Sequence, residues 1–143
     1  MATLLPKIAE PLAEESARII NPLSLAFVGD AVQTLFVRTA LSLENEKQPQ
    51  EALKTFVSAK AQARSAELLT PLLTEVETDM YKRGRNAKSK NRAPSASAVE
   101  YRVATGLESL IGYLYLSGQA PRLAELLTIA YKDLRKDQTK ELI

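Results

Sequence analysis

The chain has 143 residues, 19 Lys plus Arg against 17 Asp plus Glu and 45% hydrophobic residues, the composition of one ordinary globular domain. A chain of this length buries about 70% of the surface it exposes when unfolded, enough for a core without disulfides or a structural metal. Cys and His are both absent, which excludes thiol nucleophiles, Ser-His-Asp triads, Cys/His zinc sites, iron–sulfur clusters and imidazole acid–base chemistry.

Residues 1–20 read as an N-terminal lead-in. Lys7 is followed by Glu10, Glu14 and Glu15, with two prolines and no basic-then-apolar layout, so no signal peptide is expected. Asn21-Pro22 is a helix start, Asn as N-cap and Pro in the first position, opening a helix from Leu23 to about Leu43. Glu44 to Pro49 is a polar break. Leu53, Phe56, Val57, Ala63 and Leu68 then recur at helical spacing over Gln50 to Leu69, and Thr70-Pro71 is expected to end that helix and cap the next, to about Arg83. A basic loop follows at 84–96. Ser97-Ala98-Val99-Glu100 is a capping box for a long apolar helix that closes at Ser117-Gly118, Pro121 starts a last helix ending near Arg135, and 136–143 is expected to fray. No segment alternates like a strand, so the expectation is a single all-α domain, a helical bundle over 1–143. The longest run without a charge, Ser109 to Pro121, has 13 residues, short of the roughly 18 to 20 a membrane span needs, so no membrane association and a cytoplasmic location are expected.

The net charge of +2 is unevenly spread. Lys82, Arg83, Arg85, Lys88, Lys90 and Arg92 fall in one stretch with no acid, so that stretch carries +6 and the rest of the chain −4. Such a run is either a solvated loop or a phosphate-binding surface. Gly84, Asn86, Ser89 and Asn91 are interleaved with the cations and allow close approach to phosphates, and only Tyr81 and Tyr101 flank them, which favours a duplex backbone over stacked single-strand bases.

Two carboxylates lie in helices that are apolar on all sides. Asp30 is in Leu23–Val37 and Glu108 is in Val103–Leu116, and neither has a basic residue within one helical turn. Both are expected to be buried, and a buried carboxylate needs a cation, a hydrogen-bond network, a raised pKa or a metal ion. Ala26, Gly29 and Ala31 beside Asp30, and Ala104, Thr105 and Gly112 on the face of Glu108, suggest that the two helices cross closely there. Together the acids would form a hard-oxygen site for hydrated Mg²⁺ or Mn²⁺. The alternative is a tertiary ion pair with Arg38, Lys60 or Arg102. Apolar residues on too many faces around Leu35-Phe36 and Tyr113–Leu116 also point to a partner surface.

These residues carry a resemblance. Leu25-Ala26-Phe27-Val28-Gly29-Asp30-Ala31-Val32 resembles the signature helix of ribonuclease III catalytic domains, and Leu107–Leu116, with Glu108, resembles their second acidic helix. Ser58-Ala59-Lys60-Ala61-Gln62-Ala63, the stretch Lys82–Ser89, and Tyr101-Arg102 leading into Glu108 are similar to the mini-ribonuclease III subfamily, which has the catalytic domain alone. The likeness runs from about Asn21 to Leu127.

The resemblance implies an all-helical, two-fold dimer that cuts both strands of double-stranded RNA with Mg²⁺ (or Mn²⁺) held by Asp30 and Glu108, leaving 5′-phosphate and 3′-hydroxyl ends. It implies RNA binding by Lys82, Arg83, Arg85, Asn86, Lys88, Lys90, Arg92 and Arg102, and a role in maturing large-subunit ribosomal RNA precursors. Two further acids usual in the family are replaced by Ala26 and Thr105, a departure that looks typical of the mini subfamily. The competing reading is a catalytically silent RNA-binding or ribosome-assembly protein of the same fold, and a third is a helical adaptor with no RNA role.

Overall fold

The computed structural model describes residues 10–88 and 97–132, which form helices α1 (Glu14–Arg18), α2 (Pro22–Leu43), α3 (Pro49–Val57), α4 (Ala59–Leu69), α5 (Glu75–Asn86), α6 (Ala98–Leu116) and α7 (Ala120–Ala130), with no strand among them. The long helices start where the sequence signals place them. Asn21 Oδ1 accepts the Leu23 N–H at 2.8 Å ahead of Pro22, and Ser97 Oγ accepts the Glu100 N–H at 3.0 Å. α6 ends as Gly118 takes φ of +72°, a left-handed conformation that costs glycine no Cβ strain.

Elsewhere local chemistry overrides the periodicity. The expected helix over Gln50–Leu69 is two helices, because Ser58 is extended (φ −63°, ψ 158°) and its hydroxyl accepts the Ala61 N–H at 3.2 Å, capping α4. Thr70-Pro71 does not cap the next helix. It lies in a 3-10 turn, Thr70–Leu72, and α5 begins instead in a capping box made by Thr74 and Glu77. α5 runs on to Asn86, so Gly84, Arg85 and Asn86 of the expected loop 84–96 are helical. The lead-in contains α1, whose Ala17 is fully buried. The last helix starts at Ala120 and ends at Ala130, with Tyr131 as its C-cap, short of the expected end near Arg135. Lys90, Arg92 and the tail 136–143 lie outside the described residues.

α6 is the central helix, packed by α2, α5, α4 and α7. It contributes Leu107, Leu110, Ile111, Tyr113 and Leu114 to the core, met by Leu25, Phe36 and Val37 of α2 and Leu123, Leu126 and Leu127 of α7. Each such aliphatic side chain contributes about 1.5–3 kcal/mol through burial. α2 and α6 touch backbone to backbone. A Cβ on Gly29 would stand 1.8 Å from the Glu108 carbonyl oxygen, and one on Gly112 would stand 2.0 Å from that of Leu25. This is the close crossing that the small residues suggested.

α7 is tied to α5 by a part-buried ion pair that the sequence did not disclose. Arg122 Nε and Nη2 donate to the two carboxylate oxygens of Glu77 at 2.9 and 2.8 Å, Nη2 also donates to the Leu72 carbonyl at 2.8 Å, and Nη1 bonds Glu125. Burial pushes the Glu77 carboxyl up, but the Arg122 bonds and charge and the Thr74 N–H outweigh it and hold the group below its ordinary range. Glu77→Gln is expected to lower stability by about 2 kcal/mol in denaturant melts near neutral pH, because it removes the buried partner of Arg122 and leaves only the exposed Glu125. A depressed carboxyl stabilises above its unfolded-state pKa and ceases to as pH falls through its folded value. The gap between parent and variant should therefore close in acid, and a gap independent of pH would count against the pairing.

Candidate active site

Asp30 on α2 and Glu108 on α6 flank the glycine crossing. Gly29 faces the Glu108 carbonyl, which sets the next residue, Asp30, beside residue 108. The carboxyl groups interact directly. Burial, then the Asp30 charge and a hydrogen bond with Asp30, push the Glu108 carboxyl up to about 8, while the Gln62 amide pulls weakly the other way. The expectation of two buried acids does not hold in full: Glu108 is half-buried and Asp30 is exposed. An all-round apolar α2 implied a core helix, but one face of it is uncovered in the single chain, with Phe27 83% and Leu35 39% exposed.

No cation among the described residues neutralises the pair. The ion pairs among the described residues are Glu51–Lys54, Glu77–Arg122 and Glu125–Arg122, so the expected alternatives through Arg38, Lys60 or Arg102 are not formed. Nor do the described residues contain three or more Asp, Glu, His or Cys side chains grouped to hold a metal. Thr105, where the family resemblance expects another acid, spends its hydroxyl on the Tyr101 carbonyl at 3.0 Å. Two hard carboxylates in like-charge contact fit a divalent cation such as Mg²⁺ or Mn²⁺, which fills its other positions with water or phosphate oxygen.

Three buried polar residues surround this pair, and sequence reasoning did not assign them a role. Gln62 of α4 donates Nε2 to the Val57 carbonyl at 3.0 Å and to Glu108 Oε2 at 3.5 Å. Gln33, one turn beyond Asp30, donates Nε2 to the Tyr131 hydroxyl. Burial pushes the Tyr131 phenol up; the Gln33 bond opposes that, and the Glu108 and Asp30 charges add to it. The available signal was register, since Gln62 stands four and seven residues before the buried Ala66 and Leu69, on the core stripe of its helix.

The described basic residues do not form one surface. Positions two apart on a helix point about 200° apart, and Arg83 and Arg85 do so. Arg83 donates to the Arg18 carbonyl at the end of α1 and lies 3.4 Å from the Met80 sulfur, whereas Arg85 stacks over the Tyr81 ring at 5.7 Å and donates to Asn86 Oδ1 at 3.3 Å. Lys82, Asn86, Lys88 and Arg102 are exposed. Asn86, Lys88 and Arg102 line a cavity of about 260 Å³ together with Tyr101 and Thr105, and Thr105 is one helical turn before Glu108. The structure therefore brings Asn86, Lys88 and Arg102 together beside the carboxylates and directs Arg83 elsewhere.

Residues 23–119 match the ribonuclease III domain family. Curated relatives include the mini-ribonuclease 3 of Brevibacillus brevis, 47% identical over 79% of this chain and 87% of that protein, and that of Symbiobacterium thermophilum, 41% identical over 92% and 99%. A crystal structure of a Fusobacterium nucleatum protein superposes with a TM-score of 0.71 and 31% identity, covering 81% of this chain and 95% of that one.

Proposed function

Because the chain belongs to the ribonuclease III family, within its mini-ribonuclease 3 branch, we propose that it is an endoribonuclease that cuts both strands of double-stranded RNA with Mg²⁺ or Mn²⁺ held by Asp30 and Glu108. The observation that carries this reading is the carboxylate pair without a counter-cation among the described residues, one helical turn from a cavity rimmed by Asn86, Lys88 and Arg102. A bound divalent ion would supply an activated water and offset charge on the scissile phosphate. Asp30 is reached from solvent while the half-buried Glu108 lies deeper in the pair. Lys82, Asn86, Lys88 and Arg102 bind backbone phosphates, with Arg85 alongside. Tyr81 is buried beneath Arg85 and offers no face to an unstacked base, which favours a duplex substrate.

The same reading includes 5′-phosphate and 3′-hydroxyl products, cytoplasmic action on large-subunit ribosomal RNA precursors, and a homodimer. Support for the dimer is Phe27, an exposed aromatic three residues before Asp30, which a second copy would cover. Phe27→Asp should then sediment as a monomer, and an unchanged mass would remove that support.

The test is incubation of the purified protein with labelled long duplex RNA, with and without Mg²⁺. Cutting that requires Mg²⁺ supports the enzyme; tight duplex binding without cutting would favour the silent RNA-binding protein. In the same assays Arg85→Ala should weaken duplex binding several-fold and lower its salt slope by about one. Arg83→Ala should act on stability instead, and equal binding losses in both variants would reject this division.

A further inference from the structure

Gln62 occupies a position that is costly for an amide. It is 4% exposed, and its Oε1 has no hydrogen-bond partner among the described residues. A buried acceptor left unpaired costs about 1–3 kcal/mol. Turning the amide over does not relieve this, because Oε1 would then face the Val57 carbonyl, acceptor against acceptor. The break between α3 and α4 creates that carbonyl's need. The Ala61 N–H, which would close the next helical bond on Val57, is diverted to Ser58 Oγ, so the Val57 carbonyl takes the Gln62 Nε2 instead. With its nitrogen end fixed in this way, the amide also reaches Glu108 Oε2 at 3.5 Å.

We propose that Gln62 is a positioning residue of the active site, whose Nε2, anchored on the Val57 carbonyl, holds the Glu108 carboxylate in the orientation that ligates the cation. The proposal rests on the reading of Asp30 and Glu108 as the metal centre. With Ala26 and Thr105 in place of further acids, few ligands define where the ion sits, and the orientation of each remaining carboxylate carries more of that task. Partners of metal ligands commonly change affinity or activity 10- to 100-fold when they are removed. Gln62 touches neither the ion nor the RNA in this scheme, so its effect is transmitted through Glu108.

The experiment compares Gln62→Met, Gln62→Asn and Asp30→Asn with the parent. It reads Mn²⁺ affinity of the protein without RNA by electron paramagnetic resonance, kcat and KM on duplex RNA, and the thermal midpoint. Gln62→Met keeps the length of the side chain and removes both the amide donor and the orphaned acceptor. Its Mn²⁺ affinity should fall about 10-fold and its kcat about 10- to 100-fold, with KM for RNA within twofold and a midpoint equal to or above the parent's. Gln62→Asn keeps the amide but withdraws it by one methylene, and should show the same loss of affinity. Parent-like Mn²⁺ affinity in either variant would overturn the proposal. Failure of Gln62→Met to fold would overturn it too, by showing that the amide serves the core. If Asp30→Asn binds Mn²⁺ as tightly as the parent, the metal-centre reading itself fails. If Asp30→Asn loses Mn²⁺ while Gln62→Met keeps it, only the role of Gln62 falls.

Discussion

Asp30→Asn and Glu108→Gln are each expected to slow duplex cutting about 1000-fold, equivalent to roughly 4 kcal/mol of lost transition-state stabilisation, while leaving the protein folded. The size of the effect follows from the sparseness of the site. No third Asp, Glu, His or Cys among the described residues stands ready to take over a lost carboxylate. The effect on stability should run opposite to that of Glu77→Gln. Loss of Glu77 would leave the Arg122 guanidinium with only the exposed Glu125, whereas Glu108 faces another acid and a weakly bound amide. Neutralising Glu108 removes a repulsion and a desolvation cost, so the metal-free variant should melt higher than the parent. Single-turnover cleavage and thermal melts in chelator measure both. Residual cutting within tenfold of the parent would remove these residues from the centre of the chemistry.

The metal-free parent should also show an unusual pH dependence. The Glu108 carboxyl is pushed up to about 8, first by burial and then by Asp30, so between the ordinary carboxylate range and that value the folded protein binds more protons than the unfolded chain. Stability falls as pH rises wherever the folded state binds more protons, so this group costs the metal-free protein stability progressively up to about pH 8. Denaturant midpoints in chelator should drop across that window in the parent and stay flatter in Glu108→Gln. Saturating Mg²⁺ should restore much of the loss, since a ligand at about 100 times its Kd adds about 2.7 kcal/mol. A flat profile in the metal-free parent would mean that Glu108 is better solvated than its burial indicates.

The parts of this structure that were legible in the sequence are those set by local chemistry. Asn21-Pro22, the Ser97–Glu100 box and Gly118 mark their helix ends because each satisfies or releases backbone groups within a few residues. Gly29 and Gly112 revealed the α2–α6 crossing because a glycine inside a helix needs a packing reason. What failed was inference from apolar periodicity alone. It runs unbroken across Ser58, where one hydroxyl splits a helix, and it assigned Asp30 to the interior when α2 leaves a face uncovered in the single chain. Glu77 with Arg122, and Gln62 with Glu108, are separated by about the same stretch of chain, 45 and 46 residues. Nothing local in the sequence records which distant polar group will complete which.

Gly29→Ala is expected to combine the largest structural loss with a loss of function. The added methyl carbon would lie 1.8 Å from the Glu108 carbonyl oxygen, 2.7 Å from its carbonyl carbon and 2.9 Å from the Gly112 nitrogen. All three are backbone atoms, so no rotamer change relieves the clash and the helices must separate. Overpacking a core by a methyl group costs about 1–3 kcal/mol when side chains can yield, and a rigid backbone places this substitution at or above the top of that range. A loss of about 3 kcal/mol lowers the thermal midpoint by roughly 10 °C in a domain of this size. The same separation moves Asp30 away from Glu108, and a displacement of about 1 Å can cost a hundredfold in rate. Mn²⁺ affinity should therefore fall even at temperatures where Gly29→Ala remains folded. Ala31→Gly, on the exposed face two residues along, supplies the contrast: about 1 kcal/mol from helix propensity alone, with cutting unchanged. If Gly29→Ala melts and cuts like Ala31→Gly, the crossing does not hold the carboxylates at their working separation.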